Sequence, residues 1–137
     1  MVRSSLAQSY LVKARSRLKI LPVLLADEDY SDVLREAQEI VELALKGMLR
    51  QVGIEPPKFH DVGPALLEFA DRFAADVRPH LEEMAAISRK LRREREFAFY
   101  GDIDFIPTEA YSREEAETAI AEARQVVALA AKVIPLD

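Results

Sequence analysis

The chain has 137 residues and a net charge of −5, with half its residues apolar and 31% charged. It contains no cysteine, tryptophan or asparagine and only two histidines, which excludes a disulfide framework, a thiolate metal site, a cysteine nucleophile and a three-histidine zinc centre. The composition is that of one globular domain over 1–137, and the acidic balance argues against a wholly nucleic-acid-binding surface while leaving room for a local basic patch.

The N-terminal stretch lacks a long apolar segment followed by a small-residue cleavage site, so no secretory signal is expected. No apolar run approaches the roughly 20 residues that span a bilayer. The longest, Ile20 to Ala26, is interrupted by Pro22. A cytoplasmic protein without a membrane anchor is the expectation.

The first helix is expected from about Ser4 to Ala26. Ala7, Leu11, Ala14, Leu18, Leu21 and Leu25 alternate steps of four and three, the spacing of one helical face. Pro22 lies inside that pattern and should kink or interrupt the helix near Leu21. After an acidic turn, Ser31 is a candidate N-cap for a second helix that runs to about Val52, with Gly53 placed to stop it. Apolar residues cover well over half of its circumference, leaving a narrow polar stripe of Arg35, Glu39, Glu42 and Lys46. A helix apolar on most sides belongs at the centre of its domain.

A proline-stiffened loop from Ile54 to His60 follows. Asp61 is a candidate cap for a short third helix through Leu66, Leu67, Phe69 and Phe73. Pro79 suits the first position of a fourth helix, which reaches about Phe99 before Gly101. The stretch from Gly101 to Thr108 reads as a loop. Ser112 and Glu115 form a capping box for a fifth helix, whose inner face carries Ala116, Ile120, Ala123, Val127, Ala130 and Ile134. No strand-like alternation, internal repeat or low-complexity tract interrupts this pattern. The fold class is therefore an all-α antiparallel up-and-down bundle of about five helices.

The residues that could carry chemistry concentrate in the fourth helix, where Arg89, Lys90, Arg92, Arg93 and Arg95 form a strong basic cluster. Met84, Ile87, Leu91, Arg95 and Ala98 follow the core spacing, so Arg95 stands in an apolar stripe. It is either a buried cation paired with a carboxylate such as Glu42 or a cleft residue whose forked donors meet phosphate. The flanking cations read either as a solvated face or as a binding patch. Tyr100 can offer a hydroxyl to the same cleft or simply pack with its hydroxyl wet. Glu42 and Lys46 stand four apart in the favourable order for a helical ion pair. His60 is a local structural histidine or, beside a helix start, an anion contact, and His80 has no evident partner. There is no phosphate-cradling glycine loop, no HExxH and no serine on a nucleophile elbow.

Tyr10-Leu11 through Ala14, Asp29-Tyr30-Ser31, Ala37 through Glu42 to Lys46, Gly53-Ile54 to His60-Asp61, Arg92 with Arg95-Glu96 and Tyr100-Gly101-Asp102, and the closing Glu114-Glu115-Ala116 to Val126-Val127 together resemble a HEPN domain. HEPN domains occur in higher eukaryotes and prokaryotes and are thought to bind nucleotides. The resemblance covers nearly the whole chain. It implies a helical bundle that commonly forms a homodimer, and small prokaryotic members often pair with a separately encoded minimal nucleotidyltransferase in toxin–antitoxin-like modules. Many members are metal-independent ribonucleases with an arginine followed, after four to six residues, by a histidine. Mapping that motif places Arg95 at the arginine and Tyr100 at the histidine, and neither His60 nor His80 follows any arginine at the required spacing. Imidazole, with a pKa of about 6.5, exchanges protons near neutral pH, whereas a phenol with a pKa of about 10 does so poorly.

The resemblance thus implies nucleotide or RNA binding through Arg92, Arg95, Tyr100, Lys46 and His60, without metal or cofactor, in a homodimeric partner of a nucleotidyltransferase. The alternatives are a ribonuclease in which Arg95 and Tyr100 are catalytic, and a structural adaptor that docks protein on its alanine-rich fifth helix.

Overall fold

The computed structural model describes residues 5–58 and 61–136, without the side chain of Glu96. Four long helices form the bundle: α1 (Leu6–Leu18), α3 (Tyr30–Gln51), α5 (Leu81–Phe99) and α7 (Arg113–Val133). Short helices α2 (Leu21–Ala26), α4 (Gly63–Glu68) and α6 (Pro107–Ala110) sit in the connections, with 3₁₀ turns at Ala70–Arg72 and Arg78–His80. The described residues contain no strand.

Cross-helix pairs fix the directions. Arg17 of α1 meets Glu36 of α3 at 2.7 Å, while Tyr10 packs near Gly47 further along α3, so α1 and α3 are antiparallel. Glu42 pairs with Arg92, and Arg35 lies over Phe99, so α3 and α5 are antiparallel. Lys90 pairs with Glu122, and Glu94 accepts a hydrogen bond from Tyr111 just before α7, so α5 and α7 are antiparallel. The long helices therefore alternate up and down in chain order.

The apolar circumference of α3 has the consequence expected of it. Val33, Leu34, Ala37, Ile40, Val41, Ala44, Leu45, Met48 and Leu49 are buried, and α3 packs against α1, α5 and α7 at once. Its polar stripe, from Arg35 through Glu39 and Glu42 to Lys46, is half-buried. On α5, Met84, Ile87, Leu91 and Ala98 join the core, whereas Arg95 at the same spacing stays half-buried.

Several local expectations need correction. The first helical stretch is interrupted as expected, a little before Leu21: α1 ends at Leu18, and Pro22 sits in the first turn of α2, where its missing N–H removes no helical bond. Ser31 is not a cap. Helix α3 starts at Tyr30, one residue earlier, and the Ser31 side chain is buried. The third stretch is α4 followed by a 3₁₀ turn, and its anchor is Asp61, whose Oδ1 accepts from the Gly63 N–H at 3.1 Å and from the Ser88 hydroxyl of α5 at 2.6 Å. The loop after Gly101 contains the short helix α6. The Ser112 and Glu115 capping box of α7 is present as expected.

Two helix ends share one closing motif. After α3, the Ile54 N–H bonds Leu49 O and the Gly53 N–H bonds Arg50 O, with Gly53 at φ +83°. After α2, the Asp29 N–H bonds Leu24 O and the Glu28 N–H bonds Leu25 O, with Glu28 at φ +60°. Both are Schellman closures. The second places a glutamate where a side chain is strained.

Candidate functional site

The C-terminal half of α5 and the N-terminal half of α3 enclose a cleft of about 430 Å³ lined by Arg35, Glu39, Arg92, Arg93, Arg95, Phe97 and Tyr100. The register of the two antiparallel helices creates it. The Glu42–Arg92 pair, at 2.8 Å, closes one end. Arg35 stacks over Phe99, 4.0 Å from the ring centroid, at the other. Among the described residues, the lining of the cleft holds four arginines and one carboxylate, Glu39.

The four arginines differ in their surroundings. Arg92 is held by Glu42, which also lies 3.8 Å from Lys46. Arg35 is oriented by a cation–π contact with the Phe99 ring. Among the described residues, no carboxylate lies within ion-pair distance of Arg93 or Arg95. Arg93 is exposed, but Arg95 is half-buried, and a half-buried guanidinium with no anionic partner loses part of its hydration without compensation. An incoming anion relieves that cost, and the planar fork of arginine suits phosphate oxygens.

Aromatic residues build the far wall. Phe97 meets Phe105 edge-on at 5.5 Å, and Phe105 meets Tyr111 at 5.7 Å, pinning the loop after α5 back against the helix. The Tyr111 hydroxyl donates to Glu94 Oε2 at 2.8 Å. Burial, followed by the Glu94 carboxylate, pushes the Tyr111 phenol well above its ordinary range. Gly101 makes the turn possible. It sits at φ +68°, and a Cβ there would run into the Phe105 carbonyl and the Pro107 ring. Tyr100 stands next to that glycine, 74% exposed, with its ring edge-on to Phe99 at 4.8 Å.

On the opposite side of Tyr100 lies a depression of about 510 Å³ with the reverse charge. It is lined by Asp27, Glu28, Asp29, Ser31, Asp32, Phe99, Tyr100, Pro107 and Thr108. Burial, and then hydrogen bonding and repulsion from Asp29, raise the Asp32 carboxyl to about 6. Among the described residues, no group of three or more His, Cys, Asp or Glu side chains is placed to hold a metal ion.

The structure thus brings Arg92, Arg95 and Tyr100 to one cleft. Lys46 does not line it and reaches it only through Glu42 and Arg92. His60 lies outside the described residues. The pairing of Arg95 with Glu42 is not found, because Arg92 occupies that carboxylate. Arg93 belongs to the cleft and not only to the solvated face, and Arg35, Glu39 and Phe97 join it without having been singled out. The narrow polar stripe of α3 was the signal for Arg35 and Glu39. It needed only the knowledge that the stripe faces the end of α5.

Among the described residues, no helix is long and apolar enough to cross a membrane. Neither a curated protein sequence nor a solved structure matches the chain significantly. The HEPN domain family matches it over residues 7–134, which includes all four long helices except the first residue of α1, and both sides of the cleft. The chain belongs to the HEPN family.

Proposed function

We propose that the cleft between α3 and α5 binds the phosphate groups of a nucleotide or of RNA. The observation that carries this reading is the pair Arg93 and Arg95, which lack a carboxylate partner among the described residues and stand in a cleft of four arginines and one glutamate. Arg95 and Arg93 meet the anion directly, Arg92 and Arg35 are held in place by Glu42 and Phe99, and Phe97 with Tyr100 offers ring surface to a base. Family membership supports the wider setting: a cytoplasmic homodimer that partners a separately encoded nucleotidyltransferase in a toxin–antitoxin-like module.

The test is direct binding of nucleotides and short RNA to the wild type and to Arg95→Ala. The wild type is expected to bind at least tenfold more tightly, since a charge-assisted contact to phosphate contributes on the order of 1.5–3 kcal/mol. Equal affinities, or no binding by the wild type in the presence of its partner, remove the assignment.

A second reading keeps the same cleft but makes it a metal-independent ribonuclease. It is favoured by Arg95 and Tyr100 sharing one cleft at the family's motif spacing. RNA cleavage in chelator that disappears in Tyr100→Phe supports it. Cleavage that persists in both Tyr100→Phe and Arg95→Ala contradicts it.

A further inference from the structure

Glu39 is the one carboxylate among the described residues that line the arginine cleft, and it is half-buried. The Glu42–Arg92 pair and the Arg35–Phe99 stack set an antiparallel register that puts Glu39 level with Arg95 on the opposite helix. Opposite charges so placed would be expected to pair. They do not: among the described residues, neither Glu39 nor Arg95 has an ion-pair partner. Two other cations of the cleft are engaged. Arg35, four residues before Glu39 and so at the spacing of a helical ion pair, stacks on Phe99, and Arg92 is held by Glu42.

The cleft therefore holds a carboxylate and a guanidinium apart in a space of about 430 Å³, a volume typical of small-ligand sites. Its ligand must bring an anion to the arginines and hydrogen-bond donors to the glutamate, because an ionised carboxylate only accepts. Aromatic surface adds a third demand. Phe97 is 48% and Tyr100 74% exposed, and both line the cleft. Every base has a π-face that stacks on such rings, so the choice among bases falls to the polar group.

We propose that the cleft selects guanine nucleotides, with Glu39 as the specificity-determining residue. Its two carboxylate oxygens accept from the guanine N1–H and exocyclic amine while Arg93 and Arg95 hold the phosphate. This rests on the phosphate reading above and adds the identity of the base. Guanine alone among the four bases of RNA presents two adjacent donors on its Watson–Crick edge, the edge that proteins read on an unpaired base. Adenine and cytosine each offer one amine beside an acceptor nitrogen, and uracil offers one N–H between two carbonyls. Each of these sets an acceptor against the carboxylate, a repulsion that discriminates as strongly as the attraction.

The experiment measures binding of GMP, IMP, AMP and XMP, and of the deoxy forms of GMP and AMP, to the wild type, Glu39→Gln and Arg95→Ala. The wild type is expected to bind GMP about tenfold or more tightly than AMP, with IMP, which lacks the exocyclic amine, in between. Glu39→Gln turns one acceptor into a donor. The amide then matches xanthine, whose N1–H stands beside a carbonyl in place of the amine. The variant should lose most of the preference for GMP over AMP and bind XMP better, relative to GMP, than the wild type does. An unchanged GMP-to-AMP ratio in Glu39→Gln overturns the proposal, as does an equal weakening of all the nucleotides, which a merely structural role would give. Wild-type binding of GMP and AMP alike that is lost for the deoxy forms assigns Glu39 to the ribose and also overturns it. If Arg95→Ala still weakens every nucleotide in these cases, the cleft reading stands. Absence of any nucleotide binding, or no effect of Arg95→Ala, removes the cleft reading and this proposal with it.

Discussion

Tyr100 stands between two depressions of similar size and opposite sign. Among the described lining residues, Arg35, Arg92, Arg93 and Arg95 share one side with one glutamate, and Asp27, Glu28, Asp29 and Asp32 share the other with no basic residue. Tyr100 lines both, and Phe99 beside it holds Arg35 on one side and lines the acidic depression on the other. The difference lies in which helix supplies the charge. The basic cleft takes its cations mainly from the last turns of α5, and the acidic depression takes its carboxylates from the turn between α2 and α3 and from the first turn of α3. A net charge of −5 averages over this division and describes neither side. The lesson is that a modest net charge hides an anion site when opposite charges are segregated by the fold.

The largest expected effect comes from the residue on which both sides depend. Gly101→Ala places a methyl group against the Phe105 carbonyl and the Pro107 ring at a positive φ. It should destabilise the protein by at least about 2 kcal/mol in chemical denaturation. Retained stability would mean that the turn is not the common support of the two depressions.

Reversing one charge should separate the two sides. Arg95→Glu is expected to weaken RNA binding by tenfold or more while leaving thermal unfolding close to wild type, because Arg95 has no carboxylate partner among the described residues. Asp29→Asn, on the acidic side, should leave binding intact or slightly strengthen it at low salt. A loss of binding in Asp29→Asn would contradict the division of labour.

Tyr111→Phe removes the hydrogen bond that ties the aromatic wall to Glu94. A cost of about 1 kcal/mol is expected by denaturant titration. No change would mean that the edge-on contacts of Phe97, Phe105 and Tyr111 suffice to hold the loop.

The acidic side should reveal itself through pH. The Asp32 carboxyl is raised to about 6 in the folded protein, from an ordinary value of 3.8. Between those values the folded state holds a proton that the unfolded state has released, so stability from this group is complete below the lower value and is lost as pH rises through about 6. Asp32→Asn should flatten that part of the stability–pH curve and stabilise the protein at neutral pH. A curve of unchanged slope would remove the raised Asp32 carboxyl, and with it the effect of its burial and of Asp29, from the account.

The smallest effect concerns the strained glutamate at the same turn. Glu28→Gly should stabilise by about 0.5–1 kcal/mol, since the equivalent closure after α3 already uses a glycine. A loss of stability would indicate that the Glu28 side chain contributes more than its backbone strain costs.

Much of the architecture was legible because it follows from periodicity. The wide apolar surface of α3 announced a central helix, and the interruption of the α5 stripe by Arg95 announced a cation between core and solvent. The Ser112–Glu115 cap was readable from two residues. What escaped depended on three-dimensional register. Arg35 and Arg95 are 60 positions apart, and only the antiparallel packing of α3 on α5 brings them to one cleft. The same register gave Glu42 to Arg92, three residues before Arg95 and on another side of the helix. Ser31 misled because a good capping residue is equally at home one position inside a helix whose start is fixed by the preceding turn. Helix α6 has four residues, too few to leave a periodic signal. The acidic depression was present in sequence as an acidic turn, but its second wall comes from the residues around Tyr100 and Pro107.

The most direct measurement is amide chemical-shift mapping of the protein titrated with a short RNA. The account predicts that the largest shifts fall in residues 92–101 of the α5 end and around Arg35 and Glu39 of α3, with Asp27 to Asp32 little changed. Shifts centred on the acidic turn, or scattered shifts that spare Arg93 and Arg95, would contradict it.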